Sequence, residues 1–167
     1  LKVNNRLDHT LYGAAIPLKE DIAGVMHYPD ASPRKTIYMQ VRRHKPSAFL
    51  LTFDGPSLSP NCDKRTPSAG TPQALALMNS EFIRSESNHL ATLILKNQTN
   101  DTNALILQAW KTVYQRPPNS KELTLAAMFL TESKATYNAT KSKDPNQMAW
   151  TDLCQQLLAS NEFIYLE

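Results

Sequence analysis

The sequence predicts a mainly α-helical protein, and three observations carry that prediction. The chain has four glycines, and none lies between Thr71 and Glu167. That glycine-free stretch resolves into apolar stripes at helical spacing. Each stripe also begins behind a residue suited to capping a helix N-terminus. Glycine interrupts regular structure by its permissive backbone, and proline by a fixed φ and a missing donor. Gly13, Gly24, Gly55, Gly70 and eight of the eleven prolines all fall within residues 1–72. The expected architecture is therefore a small bundle of about five helices over residues 71–160. An irregular, loop-rich segment with one or two short strands precedes it. Residues 1–70 and the bundle half, 71–167, are expected to form a single domain together.

The helices follow in order. Thr71-Pro72-Gln73 supplies a cap and an early proline for a first helix through QALALMN. The chain re-caps around Asn79-Ser80, and a second helix runs from about Glu81 to Lys96, with Ile83, Ser87, Leu90 and Ile94 on one face. Asp101 or Thr102 caps a third helix whose Ile106, Ala109, Trp110 and Val113 make an i, i+3, i+4, i+7 stripe. Arg116-Pro117-Pro118 stops it. Asn119 or Ser120 caps a fourth helix with Leu123, Ala126, Ala127 and Leu130 on one side. Asp144-Pro145 opens a fifth, with Trp150, Leu153, Cys154 and Leu157 facing inward. Isolated helices of this length are marginal in water, so the stripes must pack on one another.

The first 70 residues give fewer signals. In Thr36–Val41, Ile37, Met39 and Val41 alternate with polar or amphipathic neighbours, which predicts a half-buried strand. Ala48–Phe53 fits a strand or a short helix equally. Residues 1–35 show no sustained period and are expected to wrap as extended chain on the bundle. One internal echo links QALALMNSEFI with QQLLASNEFI, as two similar helix-to-helix corners would.

Composition excludes several classes. Eighteen Lys and Arg against fifteen Asp and Glu leave a net charge of +3, too small a bias to predict nucleic acid or an anionic membrane as partner. The surplus lies in residues 1–70, at +4, against −1 for the remainder. No apolar run reaches the roughly 20 residues of a membrane span. The opening LKVNNRLDHT lacks the apolar core of a signal peptide, so a targeting segment is expected outside this chain. His9, His27, His44 and His89 are scattered, and Cys62 and Cys154 have no C-x-x-C partners, so no metal and no cofactor is expected.

Two cysteines and one polar cluster remain as candidates for chemistry. Cys154 sits on the Trp150/Leu153/Leu157 stripe, where a cysteine behaves as a small hydrophobe. Cys62 lies in PNCDKRTP, where Lys64 and Arg65 would lower its pKa. It reads as a loop thiol or as half of a disulfide with Cys154. The densest polar chemistry runs from Arg34 to Asn79. Arg42, Arg43, Asp54, Arg65, Gln73 and Asn79 form the candidate set, either a ligand-binding group or a clasp in which Asp54 and an arginine pin an irregular loop. His44, beside Arg43 and Lys45, would be a poor general base, because like charge disfavours its protonated form.

Taken together, the motifs resemble a known family. RKTIYMQVRRHKPSAFLLTFDGPSLSPNCDKRTPSAGTPQALALMNSEFI is similar to the signature block of domain of unknown function 1553. That domain is the C-terminal module of large exported proteins of planctomycetes, which also carry cytochrome c-like domains. The matching positions are Arg34, Lys35, Ile37, Tyr38, Arg42, Arg43, Phe53, Asp54, Pro56, Cys62, Arg65, Pro72, Gln73, Ala74, Leu75, Leu77 and Asn79. YQRPPNSKEL, the closing AWTDLCQQLLASNEFIYLE and the early RLDHTLYG resemble further family stretches. Lys35 departs from the usual second arginine, which removes a guanidinium fork there.

The resemblance implies an extracytoplasmic location, periplasmic or cell-surface, and a place within a longer chain. An oxidising compartment would permit the Cys62–Cys154 disulfide. No catalytic residue carries over. The expected function is a non-catalytic binding or assembly module, its partners the other domains of the parent protein, another protein or a polysaccharide. The alternative is a catalytic or glycan- or anion-binding domain using Asp54 with Arg43 and Arg65. A carboxylate held ionised by arginines suits charge stabilisation better than proton transfer near neutral pH.

Overall fold

The computed structural model describes residues 2–20, 22, 24, 26–27, 33–42, 44–53, 55, 71–96 and 101–164. These residues are mainly helical, as expected. The chain divides into two compact units, residues 1–76 and 77–167.

Among its described residues the first unit has few regular elements. Strands β1 (Lys19–Glu20) and β2 (Met26–His27) pair antiparallel, Lys19 opposite His27 and Glu20 opposite Met26. Two isolated parallel bridges join Asp8 to Arg34 and Ile16 to Met39. At the second, the Ile16 amide donates to the Tyr38 carbonyl at 2.9 Å and the Gln40 amide donates to the Ile16 carbonyl at 2.8 Å. Ile16, Leu18 and Met26 are buried.

The strand expected near residues 36–41 is not formed. Thr36–Tyr38 is a single 3-10 turn, and only Met39 takes part in a bridge. The Tyr38 amide bonds the Lys35 carbonyl and the Met39 amide the Thr36 carbonyl, both at 3.0 Å. These local i to i+3 bonds consume the donors a ladder would need. Ile37 is 84% exposed and Val41 57% exposed, so the alternation marks no buried face. Ala48–Phe53 resolves as helix α1 (Ala48–Thr52). Gly55 closes it, its amide donating to the Leu50 carbonyl at 2.7 Å. A Cβ at Gly55 would lie only 2.7 Å from that same oxygen, so no other residue fits without a shift.

Helix α2 (Thr71–Asn79) starts at Thr71 itself, one residue before the expected start. In the second unit, α3 (Glu81–Leu95), α4 (Thr102–Tyr114), α5 (Ser120–Ala139), α6 (Pro145–Leu158) and the short α7 (Asn161–Ile164) form the bundle. The expected caps hold where they are local. Asp101 accepts from the Asn103 amide at 2.9 Å, and Asp144 from the Gln147 amide at 2.9 Å ahead of Pro145. Asn119 and Glu122 complete a reciprocal capping box. Ser80 stands in the cap position of α3 without a side-chain bond. The repeated sequence does mark two corners, α2 to α3 and α6 to α7.

Helix α6 packs on α3, α4, α5 and α7, which explains why Ala149, Trp150, Thr151, Leu153, Cys154, Leu157 and Leu158 are all buried on it. Leu90, Ala91 and Ile94 of α3, Ile106, Ala109 and Trp110 of α4, and Ala126 and Leu130 of α5 complete the core. Full burial of one such large side chain contributes about 1.5–3 kcal/mol. Gln115 takes a left-handed conformation, φ 59°, to end α4. Among the described residues no helix is long and apolar enough to cross a membrane.

Candidate functional site

Four of the expected site residues, Arg43, Asp54, Cys62 and Arg65, lie outside the described residues. Of the others, Arg42 is exposed and offers its carbonyl to the Lys45 amide at 3.2 Å. Gln73 is buried on α2, and Asn79 is the exposed last residue of that helix. Cys154 is fully buried on α6, and burial pushes its thiol far above the ordinary range. A thiol so protected from ionising is no nucleophile.

Three polar assemblies stand out among the described residues. In the first unit, Arg34 is the hub. Its Nη2 donates to the carbonyls of Thr10, at 3.1 Å, and Tyr12. Its guanidinium lies 4.1 Å from the Tyr38 ring centroid, and its Nε sits 3.9 Å from the Asp8 carboxylate. Tyr12 has φ 64°, so the arginine fastens a stretch of backbone in a conformation L-residues disfavour. Asp8 accepts from the Thr10 hydroxyl and amide, and these two bonds hold its carboxyl below the usual value. Arg34 and Tyr38 both belong to the signature block.

In the second unit, Arg116 joins α4, α5 and α7. Nε and Nη2 donate to the two Glu162 oxygens, both at 2.7 Å. Nη1 and Nη2 donate to Glu122 at 2.9 and 2.7 Å, and Nη1 reaches the Pro117 carbonyl at 3.1 Å. Glu122 also accepts the Asn119 amide at 2.7 Å. Guanidinium has five N–H donors, and five bonds use them all. Its hydrogen bonds to Arg116, more than burial opposes, bring the Glu122 carboxyl down to about 2. The buried Trp110 indole N–H makes no hydrogen bond with the described residues. Tyr114 stacks near the same guanidinium, 5.5 Å from its ring, and its hydroxyl donates to Ser160 at 2.9 Å.

The third assembly follows the α3/α6 seam. Gln147 Nε2 donates to Asn88 Oδ1 at 2.8 Å and to Thr92 Oγ1 at 3.0 Å, and the Thr151 hydroxyl reaches Asn88 Oδ1 at 3.2 Å. Nearby, Tyr137 donates to Asp152, which raises the tyrosine's pKa and holds α5 to α6. Arg84 reaches Asp152 at 3.4 Å. Beside this network runs a groove of about 320 Å³ lined by Glu81, Arg84, Ser85, Asn88, Met148 and Thr151. A second described groove, on α5, is lined by Ser120, Lys121, Thr124 and Leu125.

Sequence reasoning placed none of these three assemblies in the candidate site. Two signals were there to be used. Asn119-x-x-Glu122 has the spacing of a capping box. Asn88/Thr92 and Gln147/Thr151 are polar pairs at i, i+4 on helices whose other faces are apolar. Glu162, 46 residues from Arg116, had no such local signal.

A sequence model of the family described as "Protein of unknown function (DUF1553)", PSD1, matches residues 1–130. The chain belongs to that family. No curated protein and no solved structure matches it.

Proposed function

We propose that this member of the DUF1553 family is a non-catalytic binding or assembly module of a larger extracytoplasmic, cytochrome c-associated protein. The Arg116 joint is the observation that carries the reading. Arg116, in a stretch that resembles a family motif, meets two glutamates and is spent on holding three helices, with no guanidinium donor left for a substrate. Arg34, the first arginine of the signature block, holds two backbone carbonyls through Nη2 and lies over an aromatic ring, while its buried Nε makes no hydrogen bond. Both arginines act as fasteners, which suits a part whose role is to present a fixed surface. The exported, cytochrome-associated setting is supported by the resemblance of the signature block and the closing stretch.

The test is a pull-down with the tagged chain as bait. The remaining domains of the parent protein, expressed separately and including the haem-bearing one, are the prey. Retention of a domain, followed by its haem absorbance where it has one, is the expected result. Failure to retain any of them, with no thermal shift across a panel of oligosaccharides, would overturn the module reading.

A further inference from the structure

We infer that the α3/α6 groove is a binding site for a neutral saccharide about two rings long. This rests on the module reading and names the ligand class one of its surfaces would take. The warrant is which hydrogen-bonding positions remain open. Asn88 Oδ1 already accepts from Gln147 and Thr151, so that side chain meets a ligand only as a donor through its amide nitrogen. Arg84 is held at one nitrogen by long contacts to Asp152 and Gln155, 3.4 and 3.5 Å, and is half exposed. Glu81 contributes an acceptor, and the Ser85 hydroxyl both donates and accepts. Among the described residues neither side chain has an internal partner. Met148 adds an apolar surface.

A row of separate donors and acceptors suits a ligand whose groups each give and take a hydrogen bond, as vicinal hydroxyls do. An extended peptide matches less well. The amide best placed to read its backbone, Asn88, has lost its acceptor face. Charge points the same way: Asp152 offsets Arg84, so Glu81 leaves the groove slightly acidic and unwelcoming to anionic ligands. From Glu81 to Asn88 is seven residues of helix, about 10 Å, a length that fits two pyranose rings.

The experiment is a titration of the full ¹⁵N-labelled chain with cellobiose and with maltose, followed by amide chemical shifts. Trialanine and glucuronate serve as competing classes. The expected result is saturable shifts confined to residues 81–88 and 148–151 with a neutral disaccharide, at about millimolar Kd. Glu81→Gln and Ser85→Ala, two surface changes outside the core, should each weaken binding about fivefold, and Lys121→Gln on α5 should leave it unchanged. Shifts with trialanine or glucuronate in place of the disaccharides would overturn the assignment, as would no shifts at all. Those failures leave the module reading to the pull-down. Cleavage of the disaccharide during the titration would sink the non-catalytic reading while leaving the groove as the site.

Discussion

Replacing Glu122 with Gln isolates the electrostatic part of the joint that ties α4, α5 and α7. Glutamine keeps the size of the side chain and one acceptor able to serve the Asn119 cap, but removes the charge facing Arg116. The Glu122 carboxyl lies at about 2, below its ordinary 4.5. At about 1.4 kcal/mol per unit, that depression would be worth about 3 kcal/mol at face value. The side chain keeps 27% exposure, so water and salt screen the interaction, and about 1 kcal/mol is the expected contribution. For a chain of this size that corresponds to about 2–4 °C in Tm.

The sign follows from the depressed pKa. The contribution is fully present above about pH 4.5 and is lost as pH falls toward 2, where the folded-state carboxylate takes up its proton. The assay is urea unfolding of wild type and Glu122→Gln at steps between pH 7 and pH 2.5. Urea is preferred to guanidinium chloride, whose ions would screen the pair. Wild type should be more stable by about 1 kcal/mol near neutrality, and the two curves should converge below pH 4.5. A difference that stays constant down to pH 2.5 would refute the reasoning, because only loss of packing or of the cap is indifferent to protonation.

Four further outcomes are expected. Leu130→Ala, at a core position 1% exposed, should lower stability by about 2–5 kcal/mol in denaturant titration; a loss well under 1 kcal/mol would mean that α5 is not packed as described. Cys154→Ser should cost about 1–3 kcal/mol by burying a hydroxyl where a thiol sat among apolar neighbours. In a Cys62→Ser background, the remaining Cys154 thiol should ignore a disulfide reagent at pH 8 until denaturant is added, and rapid labelling of the native chain would contradict its burial. Arg34→Lys should speed amide hydrogen exchange at Asp8, Ile16 and Gln40 by about tenfold or more, because lysine lacks the planar guanidinium that lies over the Tyr38 ring while one nitrogen holds two carbonyls. Unchanged exchange would show that Arg34 is not the fastener of its unit.

What was legible in the sequence is what the chain decides locally. Asp101, Asn119 and Asp144 cap helices because each bonds an amide two or three residues ahead, and the Trp150, Leu153, Cys154 and Leu157 stripe becomes core because a 3.6-residue period admits one inward face. Ala48–Phe53 was ambiguous because six residues satisfy either period. Residues 36–41 misled for a different reason. Alternation predicts a strand only when a partner strand exists, and here the donors close a 3-10 turn while Ile37 and Val41 point to solvent. The polar assemblies were hidden because their partners are far apart in the chain, Arg34 with Thr10 and Tyr12, Arg116 with Glu162, and Asn88 with Gln147.

That distance also bears on how the motifs are to be weighed. An arginine in a recurring sequence block invites a role in chemistry, and Arg116 between Tyr114 and Pro117-Pro118 is as conspicuous as any in this chain. Yet a guanidinium that meets two carboxylates and a carbonyl gains most by staying where it is, because removing one partner strands the rest. Residues that fasten irregular joints are as constrained in type as residues that meet a ligand, since a proline-broken corner has few other ways to satisfy its polar groups. The two uses differ in whether open hydrogen-bonding positions remain. Arg116 has none, whereas Glu81, Ser85 and the Asn88 amide keep theirs beside open space. Function in the second unit is therefore to be sought first along α3.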